Sequence, residues 1–72
     1  MTSEKIKIRE NDEYIRLDNL LKLSGAVMSG GEAKAEIQGG KVRLNGEICT
    51  ERGKKLRRGD KVEYQGALYE VC

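Results

Sequence analysis

The chain has 72 residues, of which 14 are Lys or Arg and 12 are Asp or Glu, for a formal net charge of +2. This length allows at most one domain with a small core. The sequence lacks both an apolar run of about 18 residues, as a membrane helix needs, and the basic and apolar segments of a signal peptide. We therefore expect a single domain over residues 1–72 that is cytoplasmic and has no membrane partner.

The first part of the chain predicts two extended pieces separated by a turn. Apolar and basic residues alternate over residues 5–9, which is the period of a half-buried strand. Residues 10–13 are acidic and turn-like, and Tyr14-Ile15 begins a second short extended piece.

The next pattern has the period of a helix. Leu17, Leu20 and Leu21 share one helical face. Gly25 then ends the pattern as a C-terminal glycine does. We predict a short helix over residues 17–24.

A second helix has clear start and stop signals. Ser29 and Glu32 have the spacing of a capping box, in which each side chain accepts a hydrogen bond from a free backbone amide. Gly39-Gly40 is a stop signal. We predict a helix over residues 30–38, close to the first because only a few residues connect them.

The remainder of the chain alternates with the period of strands. Two hairpin turns are predicted at Asn45-Gly46 and Gln65-Gly66. The strands beside them cover residues 41–44, 47–49, 61–64 and 68–71, with Tyr64 in the core. An opening strand, two helices and a small antiparallel sheet predict an α+β fold.

The sequence predicts no catalytic, metal or cofactor site. It contains no His, so acid–base chemistry near neutral pH would need a strongly perturbed group. Cys49 and Cys72 are too far apart for a Cys-x-x-Cys pair, and a disulfide between them is disfavoured in the cytoplasm. We expect a protein that is not an enzyme and has no small-molecule substrate.

The positive charge is concentrated in one segment, residues 52–61, where six of ten residues are Lys or Arg and only Asp60 opposes them. Such clustering on a small domain favours a polyanionic partner. With no Trp or Phe to stack on bases, contacts to phosphate and to RNA shape are the more fitting mode. The candidate contacts in this run are Arg52, Lys54, Lys55, Arg57 and Arg58.

Three other places add candidate contacts, each with an equally good structural explanation. Lys41 and Arg43 share one strand face, which can also be merely solvated. Gly30 and Gly31 leave the helix start open to a phosphate, but can also serve close packing. Lys34 lies one turn further along, where it can simply balance nearby acidic charge.

An ordered set of short elements over about residues 14–64 resembles the ribosomal-protein S-four-type RNA-binding domain, or alpha-L motif. The set comprises Arg16-Leu17-Asp18, Leu20-Leu21, Gly25, Ser29, Ala33, Ile37, Gly40-x-Val42, Asn45-Gly46 and Gly59-Asp60. Residues 29–34 and 52–56 are similar to the small stand-alone bacterial branch of the YaaA/YbcJ type.

The resemblance implies two antiparallel helices packed on a small, mainly antiparallel sheet. It also implies structured RNA, often ribosomal RNA, as the ligand of a bacterial cytoplasmic protein, here expected to be a monomer. By the same resemblance Arg16, Lys34 and the basic residues 52–55 match family contact positions. Most members carry Arg after the capping Ser, whereas this chain has Gly30.

Two other interpretations stay open at this point. The protein could be an interaction module that docks on an acidic protein partner. Binding that survives nuclease treatment would indicate such a partner. Residues 44–48 and 56–63 also resemble the end of a β-grasp sulfur carrier. Those proteins need a terminal Gly-Gly, whereas this sequence ends Glu70-Val71-Cys72.

Overall fold

A computed structural model describes residues 2–72 as two helices and two sheets. The elements in chain order are β1 (Thr2–Ile6), β2 (Ile15–Arg16), α1 (Leu17–Leu23), α2 (Gly30–Gln38), β3 (Val42–Leu44), β4 (Glu47–Ile48), β5 (Lys55–Leu56), β6 (Lys61–Tyr64) and β7 (Ala67–Val71). The larger sheet has the strand order β1-β7-β6-β3-β4, and β2 pairs with β5 in the smaller one. The predicted α+β fold, with two short helices and a mainly antiparallel sheet, is confirmed.

The first helix ends one residue earlier than predicted, through the glycine that the sequence indicates. Gly25 has a φ of +80°, in the left-handed region. Its amide donates to the Lys22 carbonyl and the Ala26 amide donates to the Leu21 carbonyl, both at 3.1 Å. These two bonds form a Schellman motif, which satisfies carbonyls that the helix leaves free.

The second helix has the predicted bounds and a modified capping box. The Ser29 hydroxyl accepts from the Glu32 amide at 3.1 Å. The Glu32 carboxylate accepts at 2.9 Å from the amide of Met28 and not from that of Ser29. The reciprocal bond is therefore shifted by one residue, and it secures the segment leading into the helix.

Both predicted hairpin turns are present. Asn45 and Gly46 have φ values of +51° and +89°, and Gln65 and Gly66 have +49° and +78°. Two consecutive positive φ angles are the mark of a type I′ turn, whose twist matches that of the strands it connects.

The opening strand differs from the prediction in extent. It covers Thr2–Ile6 and runs parallel to β7, with Ile6 opposite Val71. Ile8 lies beyond the strand, although it is buried and its amide donates to the Cys72 carbonyl at 2.9 Å. The local alternation could not locate the strand's end, because a partner at the far end of the chain decides it.

The glycines within the basic run favour an ordered loop, but the run also contains a short strand. Lys55 and Leu56 form β5, which pairs antiparallel with β2 and places Leu56 opposite Ile15. Leu56 is fully buried. A single apolar residue among cations carries little local signal, and its burial depends on the strand supplied by another part of the chain.

One core cluster combines residues of both helices and both sheets. The largest fully buried side chains are Leu17, Leu20, Leu21, Ile37, Leu56, Val42, Val62 and Val71. Tyr64 is only 5% exposed, which confirms its predicted core position. Cys49 and Cys72 are free thiols. Within the described residues neither helix is long and apolar enough to cross a membrane.

Candidate nucleic-acid interface

The basic run is attached to the start of α1 through its backbone. The amide of Leu17 donates to the Lys54 carbonyl at 2.9 Å, and the amide of Asp18 donates to the Arg52 carbonyl at 3.1 Å. Amides in the first turn of a helix have no acceptor within the helix. Residues 52–54 supply these acceptors, so the cations of the run are held beside α1.

Arg16 lies at this junction as the N-cap of α1. Its Nη2 atom is 3.1 Å from the Asp18 Oδ2 atom, and about half of the arginine side chain is exposed. The guanidinium also covers Gly53, where a Cβ atom would lie 3.6 Å from Nη2. The carboxylate and the loop therefore orient the guanidinium while leaving part of it open to a ligand.

Two further cations of the run contact the segment before β2. The Lys55 Nζ atom lies 4.9 Å from the centre of the Tyr14 ring, within cation–π range. The Arg58 Nη2 atom donates to the Arg9 carbonyl at 3.4 Å. The run thus reaches the surface formed by residues 9–14 at two points.

The segment from Lys7 to Ile15 adds two cations to the candidates named from the sequence. Lys7 and Arg9 are exposed and line the same cleft as Arg16. We call the cations at or beside this cleft the basic surface; they are Lys7, Arg9, Arg16, Lys55 and Arg58. Lys7 and Arg9 belong to the alternating pattern of residues 5–9. That pattern predicted a strand, but it did not indicate that these two cations lie beside the basic run.

Not every cation of the run lies beside this cleft. Lys54 lines a different depression, together with Glu47, Glu51 and Asp60. Those carboxylates reduce the local positive potential around Lys54. Two adjacent lysines therefore differ in electrostatic surroundings, which the linear sequence does not reveal.

The candidates on β3 are balanced by acidic neighbours. The Lys41 Nζ atom lies 3.5 Å from the Glu36 Oε2 atom. Arg43 is directly opposite Glu63 in the β3–β6 pairing, so both side chains occupy the outer face of the sheet. This arrangement favours the structural explanation for Lys41 and Arg43.

The candidates on α2 form a separate group. Gly30 and Gly31 occupy its first turn, and Lys34 is exposed on the side away from buried Ala33. The helices pack on each other. Within the described range, residues 2–72, no hydrogen bond or ion pair joins this group to the basic surface. The fold therefore does not merge the two groups into one site.

Comparison with known proteins identifies the family. Residues 6–72 match the family described as "S4 domain". The chain is 43% identical over 54 residues to "Probable ribosome maturation protein RlbA" of Bacillus subtilis (strain 168), which covers 75% of this chain and 76% of that protein. It is 34% identical over 58 residues to "Putative RNA-binding protein YbcJ" of Escherichia coli (strain K12), with 81% and 83% covered. The β-grasp interpretation is therefore set aside, and the chain belongs to the S4 domain family.

Proposed function

We propose that this protein is a non-catalytic RNA-binding protein that grips structured RNA, with ribosomal RNA as its ligand, and acts in ribosome assembly or function. Residues 1–72 would form one RNA-binding domain that works as a monomer in the bacterial cytoplasm. Membership of the S4 domain family and the names of the two relatives support RNA as the partner.

The observation that carries the proposal is the attachment of the basic run to α1. The hydrogen bonds from Leu17 and Asp18 to the run fix its backbone. A fixed cationic segment loses less conformational freedom on binding than a flexible tail would. The exposed cations around Arg16 can then contact several phosphates in one geometry.

The surface suits phosphate contact more than readout of stacked bases. Tyr64 and Tyr69 are buried, so Tyr14, which is 39% exposed and has Lys55 over its ring, leaves room to contact one base but not a stack of several. Phosphate contacts position a protein on RNA, and their energy comes largely from the release of counterions. We therefore expect affinity to depend steeply on salt concentration.

The test is a titration of ribosomal RNA fragments with the whole protein over a series of salt concentrations. If about four to six phosphates are neutralised, the log–log slope should be roughly −3 to −5. A flat dependence would contradict the proposal. The alternative, docking on an acidic protein, predicts that complexes captured from lysate persist after nuclease treatment.

A matched pair of variants tests where binding occurs. Lys54→Gln with Lys55→Gln removes two charges from the basic run and should weaken binding. Lys5→Gln with Lys41→Gln removes two charges outside the run, where Lys5 is opposite Glu70 in the strand pairing and Lys41 lies 3.5 Å from Glu36. This second variant should bind nearly as well as the unmodified protein. Equal losses would show that net charge alone determines the affinity.

A further inference from the structure

The cleft beside α1 has the dimensions of a ligand site. It has a volume of about 840 Å³ and is open on one side. Ligand sites for small molecules typically have about 300–1,000 Å³. One wall is formed by Arg16, the N-cap of α1, and by Asn19 and Leu23, which lie about one helical turn apart on α1. The other wall is the segment from Lys7 to Ile15.

This second wall is held in place at several points. Ile8 and Ile15 are buried, with 3% and 7% exposure, and anchor its two ends in the core. Between them the amide of Asp12 donates to the Arg9 carbonyl at 3.0 Å, which closes a turn. Arg58 reaches the same carbonyl from the basic run. The cleft is thus preformed and needs little ordering when a ligand enters.

The lining combines groups that a bare phosphate site would not have. The cations are Lys7, Arg9 and Arg16, and the other polar groups are Asn11, Asp12, Glu13 and Asn19. Carboxylates repel phosphate, but they accept hydrogen bonds from base amino groups and from ribose hydroxyls. Side-chain amides can donate to and accept from base edges.

Apolar surface completes the lining. Leu23 is 63% exposed, whereas the other leucines of its helix, Leu17, Leu20 and Leu21, are fully buried. Tyr14 adds a ring that Lys55 holds in place. These groups can contact the face of a base. A base-paired nucleotide has its faces stacked on its neighbours and its edge occupied by its partner, so the lining suits an unpaired nucleotide.

We infer that this cleft binds one unpaired nucleotide of the RNA, with its phosphate at the cations and its base edge at the carboxylates and amides. This inference rests on the proposed RNA binding and adds a preference within it. The protein would prefer RNA helices that carry a bulged nucleotide. The basic surface would hold the flanking phosphates.

The experiment compares two RNA probes with the whole protein. One is a blunt-ended RNA duplex pool with a randomised three-nucleotide bulge in one strand, and the other is the same duplex without the bulge. Because contacts to an unstacked base contribute about tenfold or more in affinity, the best bulged members should bind at least about tenfold more tightly. Equal affinity for both probes would overturn the inference and leave the proposed function intact. Binding of neither probe at low salt would contradict both.

Two variants and a control locate the effect. Asn19→Ala should reduce the preference for the bulge without changing the salt slope, because it removes no charge. Arg9→Ala should reduce both the preference and the slope. Arg43→Ala, on the outer sheet face, should leave the preference unchanged. All three positions are exposed, so thermal unfolding should be nearly unaffected. If the preference for the bulged RNA survives both Asn19→Ala and Arg9→Ala, the unpaired nucleotide does not bind in this cleft and the inference is overturned.

Discussion

The amide of Leu17 donates a 2.9 Å hydrogen bond to the carbonyl of Lys54, which joins the first helix to the basic segment. Leu17 is fully buried, so this bond fixes the segment relative to the core. The Lys and Arg side chains of the segment remain exposed. A rigid backbone with exposed cations is the arrangement on which the RNA-binding proposal depends.

The two lysines of the run should contribute differently to RNA binding. Lys55→Gln should weaken binding and reduce the magnitude of the salt slope by about 1, as the loss of one phosphate contact does. Lys54→Gln should have a smaller effect, because Lys54 lies among Glu47, Glu51 and Asp60. Titrations at several salt concentrations measure both. Indistinguishable variants would mean that the run acts as one undivided charge cluster.

The anchor of the basic run should be important for stability. Leu56 is fully buried in β5, so Leu56→Ala should lower the free energy of unfolding by about 2–5 kcal/mol. Leu23→Ala removes the same atoms from a side chain that is 63% exposed, and should change stability by less than about 0.5 kcal/mol. Chemical denaturation measures both. A small loss for Leu56→Ala would show that β5 does not contribute to the core.

An arginine at the start of α2 should strengthen RNA binding if that helix is part of the interface. A Cβ atom at Gly30 meets no other atom within 4 Å, so Gly30→Arg fits without rearrangement. We expect higher affinity and a salt slope steeper by about 1. Gly30→Gln is the control, because it adds an unbranched polar side chain without charge. If both variants bind alike, phosphates do not approach this helix start.

Stability should decrease at alkaline pH through Tyr64. Burial raises the pKa of its hydroxyl, and the nearby Glu36 carboxylate raises this pKa further. The unfolded chain therefore loses the tyrosine proton at lower pH than the folded protein does. This contribution to stability is fully present below about pH 10, the pKa of an unperturbed tyrosine, and is lost as the pH rises above it.

Denaturation curves across this range test the prediction on Tyr64. Tyr64→Phe should lose less stability than the unmodified protein as the pH rises above about 10. Glu36→Gln should show an intermediate loss, because burial remains when the charge is removed. Parallel curves for Tyr64→Phe and the unmodified protein would indicate that other groups cause any alkaline loss.

Local chemistry was sufficient to predict most elements of the fold. The left-handed glycine after α1, the Ser29 cap of α2 and the Asn45-Gly46 turn each depend on residues a few positions apart. The family resemblance rested on the spacing of the same elements, and the S4 domain match confirms it. The charge of residues 52–61 indicated a polyanionic partner without any structure.

Only the tertiary structure decided which cations lie together. The pairing of β2 with β5, between residues about 40 positions apart, places Lys55 beside Arg16 and sends Lys54 to a different depression. The bond from Arg58 to the Arg9 carbonyl joins the run to the opening segment in the same way. Such contacts depend on burial of Ile15 and Leu56 in a shared core, which no local pattern encodes. The sequence by itself determined that a basic segment exists, and long-range packing determined the surface of which it is part.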